Sequence, residues 1–441
     1  MRIEHLRTNH VENPVGFLLE HISFSWIVTK ARGKRTSQSR VEISRNQEFT
    51  DIVYDSGQRE DICSLDFQPG FIPQEESRYY WRVQVWDDEG DSAVSEAAYF
   101  ETAAAMRRAK WIQAPFGKDI HPLLRRKISV KGSISSARLY ICGLGVYEAW
   151  LNGRKIGDEY LAPFYNDYNL WMQYQTYDIT GQLKNGENAV GVMLGNGWYK
   201  GRFGFVENMA QLYGDTMKMI CEIHICYEDG SCQVISSDED WLCAPSPVAA
   251  SSIYDGEEWD SRKEIPDWAE ASCREEGFVH AVEARKPSAA LTPRLSLPVR
   301  IMEKIHPVEL IHTPAGEQVI DFGQNMTGWV EFTCREPEGT QILLQFGEIL
   351  QGGNFYNENL RTAKQEYRYT AGGKNACVRP HFTFYGFRYV KVVGISKISL
   401  DDFTGCVIYS DMEKTGRITT SNPKVNRLFE NALWGQKGNF L

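Results

Sequence analysis

The sequence predicts a mainly β protein assembled from tandem β-sandwich or jelly-roll domains. Three observations carry that reading. Short runs in which apolar and polar residues alternate recur along the chain, separated by Gly, Asn, Asp and Pro, and a period of two is that of a strand with one buried face. Helical spacing is scarce until the run that follows Pro423. With 441 residues and roughly 150 residues to a domain, the chain has room for about three cores.

The elements follow in order. From Phe24 to Phe100 the runs read as a small sandwich. Within Tyr79–Trp86, residues Tyr80, Arg82, Gln84 and Trp86 fall on one face and Tyr79, Trp81, Val83 and Val85 on the other. Asp87-Asp88-Glu89-Gly90 then turns the chain. This stretch, residues 1–104, resembles a fibronectin type III or immunoglobulin-like module. Ala103 to Arg108 reads as a linker or a short connecting helix.

A second β domain is expected over 110–290. It holds a strand-then-turn at Ala137–Gly145, a central-strand candidate at Asn188–Gly195, and Tyr147–Leu151 followed by Asn152-Gly153. Asn-Gly accepts the positive φ of a type I′ hairpin turn. The polar, Pro-rich stretch from Trp268 to Pro298 marks a boundary. A third β unit is expected over 300–410, with strands at Val330–Thr333, Ile342–Phe346 and Phe387–Val393. The period then changes: Val425, Leu428, Phe429, Ala432 and Leu433 recur at helical spacing, with Ser421 or Asn422 as N-cap and Pro423 at the first helical position.

Composition narrows the function classes. Hydrophobic residues make up 42% and charged residues 24%, an ordinary globular balance. A net charge of −10 argues against a nucleic-acid or anionic-membrane partner, since both need clustered Lys and Arg. The basic run Ala31–Arg35 is short, and it reads as a solvated loop. Charges in Met1–Arg7 occupy the place of a secretory apolar run. No stretch approaches the roughly 20 apolar residues of a membrane span, and the chain is expected to be cytoplasmic. The 10 cysteines are scattered, without zinc-site spacing, and are expected to be reduced and mostly buried.

Four stretches together carry a family resemblance. The first is Tyr147–Gly153 with Leu161-Ala162-Pro163 and Tyr174–Thr180. The second is Leu194–Tyr199, joined by Ile253–Glu257. The third is Asp321–Trp329 with Asn359-Leu360-Arg361 and Phe384–Tyr389. The fourth is Ser421–Asn431 with Trp434-Gly435-Gln436 and Asn439-Phe440-Leu441. In these the chain resembles glycoside hydrolase family 78, the bacterial α-L-rhamnosidases, over nearly its whole length. The resemblance implies that the fourth stretch, from about 417, opens a helical (α/α)₆ barrel. It also implies inverting hydrolysis of rhamnosides by barrel carboxylates, one protonating the leaving oxygen and one activating water. The family's acidic motif follows the point where this sequence stops, so the chain is expected to be an accessory portion, inactive alone. One loop departs from the family: Phe164-Tyr165-Asn166-Asp167-Tyr168 stands where Gly-Trp-Thr is expected after Ala-Pro.

No hydrolytic site is expected in the residues present, because sequence-adjacent pairs such as Glu257-Glu258 point to opposite faces of a strand. Gly201-Arg202-Phe203-Gly204 lacks the spacing of a phosphate loop. Saccharides need aromatic faces for their C–H surfaces and amides for their hydroxyls, and Asn196, Trp198 and Tyr199, with Trp171, are the carbohydrate-binding candidates. The competing reading packs these rings between sheets, with Asn196 shaping the turn. Some relatives bind rhamnose through calcium in the region matching 110–290. The residues near Tyr147 and Glu148 offer too few oxygens for that, so no metal and no cofactor is expected. Asp321, Gln324 and Asn325 are expected to brace loops, and Arg388 to pair with a buried carboxylate. The expected partners are a rhamnose-containing glycoside or polysaccharide and the catalytic barrel. A stand-alone carbohydrate-binding module and an inert structural piece are the rival readings.

Overall fold

The computed structural model describes residues 1–202 and 209–441. They fall into two compact units. The first holds residues 1–107 with the short segments 175–177 and 292–295, and the second holds the remainder.

In the first unit the strand Arg78–Asp87 is central. It pairs with Thr36–Ser44 on one side and with Ser92–Val94 and Ala98–Thr102 on the other. Burial alternates along it residue by residue, and the face carrying Tyr79, Trp81, Val83 and Val85 is the buried one. Trp81 stacks on Phe24 at 4.2 Å and Tyr79 on Phe100 at 5.3 Å, the offset ring packing that aromatic quadrupoles favour. The Asp87 carboxylate accepts the backbone N–H groups of Gly33 (2.7 Å), Glu89 (3.0 Å) and Asp91 (2.8 Å). It therefore closes the predicted turn and pins the basic loop, whose Lys34 and Arg35 side chains are exposed. Residues 103–107 carry no helix, so of linker and helix the linker holds.

The second unit begins with two sheets. One runs Arg154–Lys155, Val146–Leu151, Gly186–Gly195, Pro122–Val130, Leu242–Pro245, Val279–His280 from edge to edge. The other has Lys218–Tyr227 paired with Ile134–Leu144 and Cys232–Ser236. Asn188–Gly195 is buried throughout because strands flank it on both sides. The hairpin turn is where the sequence places it, with φ of 50° at Asn152 and 76° at Gly153. The Pro-rich stretch after Trp268 supplies the short strands Val279–His280 and Val282–Glu283.

The expectation of fully reduced cysteines is corrected. Cys226 and Cys232 form a disulfide because the hairpin of Lys218–Tyr227 with Cys232–Ser236 sets them directly opposite each other, a pairing that spacing alone does not reveal. The other eight cysteines are free, and all but Cys63 and Cys377 are buried. A thiol titration of the unreduced, denatured chain is expected to count eight; ten would remove the bridge.

The rest of the second unit is dominated by one large sheet. Its order is Val248–Ser252, Gly256–Asp260, Glu366–Thr370, Gln341–Gly347, Tyr385–Val393, Gln318–Cys334, Phe403–Ser410, Val299–Ile305. Its core is aromatic: Trp329, Phe332, Phe346, Tyr367, Tyr385 and Phe387 are buried, and Phe346 lies flat on Tyr385 at 3.8 Å. Gly256 is required where Gly256–Asp260 meets Glu366–Thr370. Its φ is +115°, and a Cβ there would lie 1.7 Å from the Glu366 carbonyl oxygen.

Helix Pro423–Lys437 starts as read, with Asn422 rather than Ser421 as cap, its side chain accepting the Lys424 N–H at 3.0 Å. Its last turn is held by Lys437, which pairs with Glu303, and by Thr327, which donates to the Gly438 carbonyl at 3.3 Å. Its first turns are open to solvent, leaving Val425 and Leu428 exposed. Asn422→Ala is expected to cost the helix about 1 kcal/mol, read as roughly fivefold faster amide exchange at Val425 and Asn426.

Candidate functional site

The Asn196 candidates sit where a central strand runs out. Gly186–Gly195 ends against Phe382, whose ring would lie 2.3 Å from a Cβ on Gly195. The chain then turns through Gly197 at φ +51° into the single helical turn Gly197–Lys200. Asn196 makes no side-chain cap of that turn. Instead its backbone N–H donates to Ser251 Oγ at 2.9 Å and its Nδ2 to the Ser251 carbonyl at 2.8 Å. Its Oδ1 is buried and, among the described residues, has no hydrogen-bond partner. Behind Ser251, His121 Nε2 lies 2.8 Å from the same hydroxyl. Burial, reinforced by the nearby Lys200 ammonium, pushes the His121 imidazole down to about 4, so it is neutral at ordinary pH.

The turn brings Trp198 and Tyr199 into an aromatic cluster. Trp198 is half-buried, with Phe164 at 5.2 Å and Tyr165 edge-on at 6.4 Å. Tyr199 is buried against Tyr168 at 5.2 Å, and Tyr168 meets Tyr213 at 5.1 Å. Tyr165, 46% exposed, shares a hydroxyl hydrogen bond of 2.9 Å with Tyr213. Trp198 and Tyr199 thus belong to one aromatic cluster, whereas the Asn196 side chain bonds Ser251. Trp171 is half-buried at the start of strand Trp171–Asp178 and, among the described residues, is not one of the rings in this cluster.

Sequence reasoning missed Phe164 and Tyr165 as neighbours of Trp198, Tyr168 as the neighbour of Tyr199, and Tyr213 beside Tyr165 and Tyr168. The signal for the first three was the loop that departs from the family pattern. Its shape is set internally: Asn166 Nδ2 and the Tyr168 hydroxyl both donate to the Phe164 carbonyl, at 3.0 and 3.1 Å. Of the glycine-flanked run at 201–204, Phe203 and Gly204 lie outside the described residues. Arg202 forms a two-pronged pair with Asp255, at 2.6 and 3.1 Å.

A second cluster has the electrostatics of a catalytic pair without its access. Glu148, on the hairpin strand, accepts Arg379 Nη2 at 2.8 Å and bonds His381 Nδ1 at 3.0 Å. Glu257 accepts the backbone N–H groups of His381 at 3.0 Å and Phe382 at 2.8 Å. Trp259 stacks on the His381 ring at 4.6 Å. Burial opposes the charge on Glu148, but Arg379 and His381 hold it well below the usual carboxylate range. Burial pushes Glu257 up to about 8 against the pull of its N–H donors. Carboxyls driven apart in this way are the pattern of a general acid and a general base. Here both are sealed, at 2% and 1% exposure, so no glycosidic oxygen reaches them. Both Glu148 oxygens are already engaged, one by Arg379 and one by His381.

Glu257 makes stability depend on pH. The folded chain holds its proton up to about pH 8, while an unfolded carboxyl releases it near 4.3. The stabilisation is therefore complete below the unfolded value and is lost as pH rises through 8. Denaturant midpoints are expected to fall between pH 5 and 9 in the wild type and to flatten in Glu257→Gln. Parallel profiles would contradict this.

Elsewhere, Asp321 takes both prongs of Arg388, at 2.8 and 2.7 Å. Gln324 donates to the Asn325 carbonyl at 2.8 Å, and Asn325 donates to Glu348 at 3.0 Å. All three brace structure, as expected.

Residues 3–105 match the Rha78A-like N-terminal immunoglobulin domain, 132–303 the α-L-rhamnosidase N-terminal domain, and 311–409 the bacterial α-L-rhamnosidase concanavalin-like domain. The chain carries the N-terminal domains of the family 78 α-L-rhamnosidases. An α-L-rhamnosidase of Streptomyces avermitilis is 34% identical over 82% of this chain and 35% of its own. One from Alteromonas is 29% identical over 97% of this chain and 49% of its own. The crystal structure of the Aspergillus terreus α-L-rhamnosidase superposes on the whole chain with a TM-score of 0.94 at 31% identity, over 52% of its own length. The family 78 chain described here thus spans about half or less of the length of the relatives it matches.

Proposed function

We propose that the chain is the accessory part of an α-L-rhamnosidase that removes terminal α-L-rhamnose by inverting hydrolysis, and that the described domains do not themselves cleave the bond. We infer the partition 1–104, 110–290 and 300–410, with a helical catalytic barrel opening from about 417; the family matches support it. The observation that carries inactivity is the sealing of Glu148 and Glu257, the carboxyl pair whose ionisation is split as hydrolysis requires. A purified chain is expected to leave an aryl α-L-rhamnoside intact. Turnover at enzyme-like rates would overturn the reading.

A second reading is favoured by the aromatic turn: these domains hold a rhamnose-containing glycoside or polysaccharide at Asn196, Trp198 and Tyr199, with Trp171, outside that cluster, as a separate candidate. The half-buried Trp198 beside the exposed Tyr165 offers the apolar face that a sugar needs. A Streptomyces avermitilis α-L-rhamnosidase has been solved complexed with L-rhamnose. Calorimetry with L-rhamnose is expected to show saturable binding that Trp198→Ala removes; silence at millimolar sugar defeats this reading.

Among the described residues no helix is long and apolar enough to cross a membrane. We infer a cytoplasmic chain, although the Cys226–Cys232 bridge favours an oxidising compartment; the thiol count above tests the bridge.

A further inference from the structure

We propose that Tyr165, positioned by Tyr213, is the specificity-determining sugar contact beside Trp198, and that it selects a 6-deoxyhexose over the matching hexose. The inference rests on the carbohydrate reading above. The C–H face of a saccharide needs an aromatic ring that solvent reaches. Tyr168 and Tyr199 are buried and Trp198 is half-buried, whereas Tyr165 is 46% exposed. Among the described residues, Phe440 is the other exposed aromatic side chain. The loop also holds Tyr165 in place. The Phe164 N–H donates to the Leu161 carbonyl at 2.9 Å, and the Phe164 carbonyl takes the two bonds described above. Buried Asn166 is held in turn by Gln173 at 3.1 Å. These bonds fix the backbone on both sides of Tyr165, and the Tyr213 hydroxyl, at 2.9 Å, fixes its outer end. A contact ordered in advance loses less entropy when a ligand arrives.

Selectivity follows from the second ring. Trp198 and Tyr165 meet edge-on, with centroids 6.4 Å apart and planes at 70°, so the two rings make an apolar corner. In the proposed contact the pyranose lies on Tyr165 and its C5 substituent meets Trp198. A methyl group there buries apolar surface. A hydroxymethyl group places a hydroxyl against ring carbon, and burying a hydroxyl without a partner is unfavourable. Tyr213 packs on Tyr168 at 5.1 Å and acts through Tyr165, which makes it a positioning residue. Tyr165 lies in the loop Phe164–Tyr168 that departs from the family pattern, so the contact belongs to this chain's own residues.

The test is calorimetric titration of L-rhamnose and L-mannose, which differ only by the hydroxyl on C6. Wild type, Trp198→Ala, Tyr165→Ala, Tyr165→Phe and Tyr213→Phe are compared, each checked for folding by its thermal midpoint. Wild type is expected to bind L-rhamnose about tenfold more tightly than L-mannose. Tyr165→Ala is expected to weaken L-rhamnose about tenfold and to remove the preference. Tyr165→Phe and Tyr213→Phe break the same hydrogen bond. Both are expected to weaken L-rhamnose about threefold and to narrow the preference, a ratio that a purely structural role would not move. Equal affinity of wild type for the two sugars, or wild-type behaviour in Tyr165→Ala, overturns the assignment; the carbohydrate reading then stands if Trp198→Ala has lost binding. An unchanged ratio in Tyr213→Phe overturns the role of Tyr213. Silence of wild type with both sugars, or unchanged binding by Trp198→Ala, defeats the carbohydrate reading and the assignment with it.

Discussion

Arg379→Ala is expected to destabilise the second unit by about 3–5 kcal/mol, the cost of removing one partner of a buried ion pair. The Glu148 side chain is 1% exposed and its direct cationic partner is Arg379 at 2.8 Å. His381, the other group on that carboxylate, is itself pushed toward neutrality by burial and by Arg379. Loss of the guanidinium would also strip a cation from the faces of Tyr160 and Trp329, 5.2 and 5.9 Å away. The attraction within the pair and the cost of desolvating it nearly cancel, so the damage comes from the stranded charge. Glu148→Met combined with Arg379→Met should therefore recover most of the loss. Denaturant unfolding, read through amide exchange in Val146–Leu151 and Gly256–Asp260, measures both. A single mutant within 1 kcal/mol of wild type, or a double mutant worse than either single, would refute the account.

Trp81→Ala is expected to cost the first unit about 3–5 kcal/mol, the range for truncating a buried aromatic. Trp81 is 0% exposed, stacks on Phe24, and sits mid-strand between Thr36–Ser44 and Ala98–Thr102. Its deletion opens a cavity that strands held on both sides cannot collapse to fill. Because the chain has two units, a single unfolding midpoint does not isolate the effect. Amide exchange does: protection should fall in Thr36–Ser44 and Arg78–Asp87 and stay unchanged in Gln318–Cys334. Equal losses in both places, or none in the first, would contradict the expectation.

The legible parts of this fold were those governed by short-range rules. The period-two pattern of Tyr79–Trp86 set which residues face inward, because a strand alternates its side chains whatever it packs against. Asn152-Gly153 read as a turn because few residue pairs accept two successive positive φ values. Pro423 behind Asn422 read as a helix start because proline lacks the N–H that the first turn leaves unpaired anyway. The candidate site was legible only as a fragment. Asn196, Trp198 and Tyr199 lie within four consecutive positions, but Phe164, Tyr165, Tyr213, Ser251 and His121 come from four separate stretches, and no local pattern ties them together.

The sequence by itself determined the β class, the strand faces, the helix start and the family, since each depends on residue type and local spacing. Tertiary structure alone decided the rest. It set Cys226 opposite Cys232 by hairpin register, placed His121 behind Ser251, and fixed Trp198 within a cluster of tyrosines. It also closed Glu148 and Glu257 away from solvent, which gave two ordinary carboxylates opposite ionisation behaviour. Burial and a neighbour's charge are properties of residues far apart in the chain, and they exist only once the strands have paired.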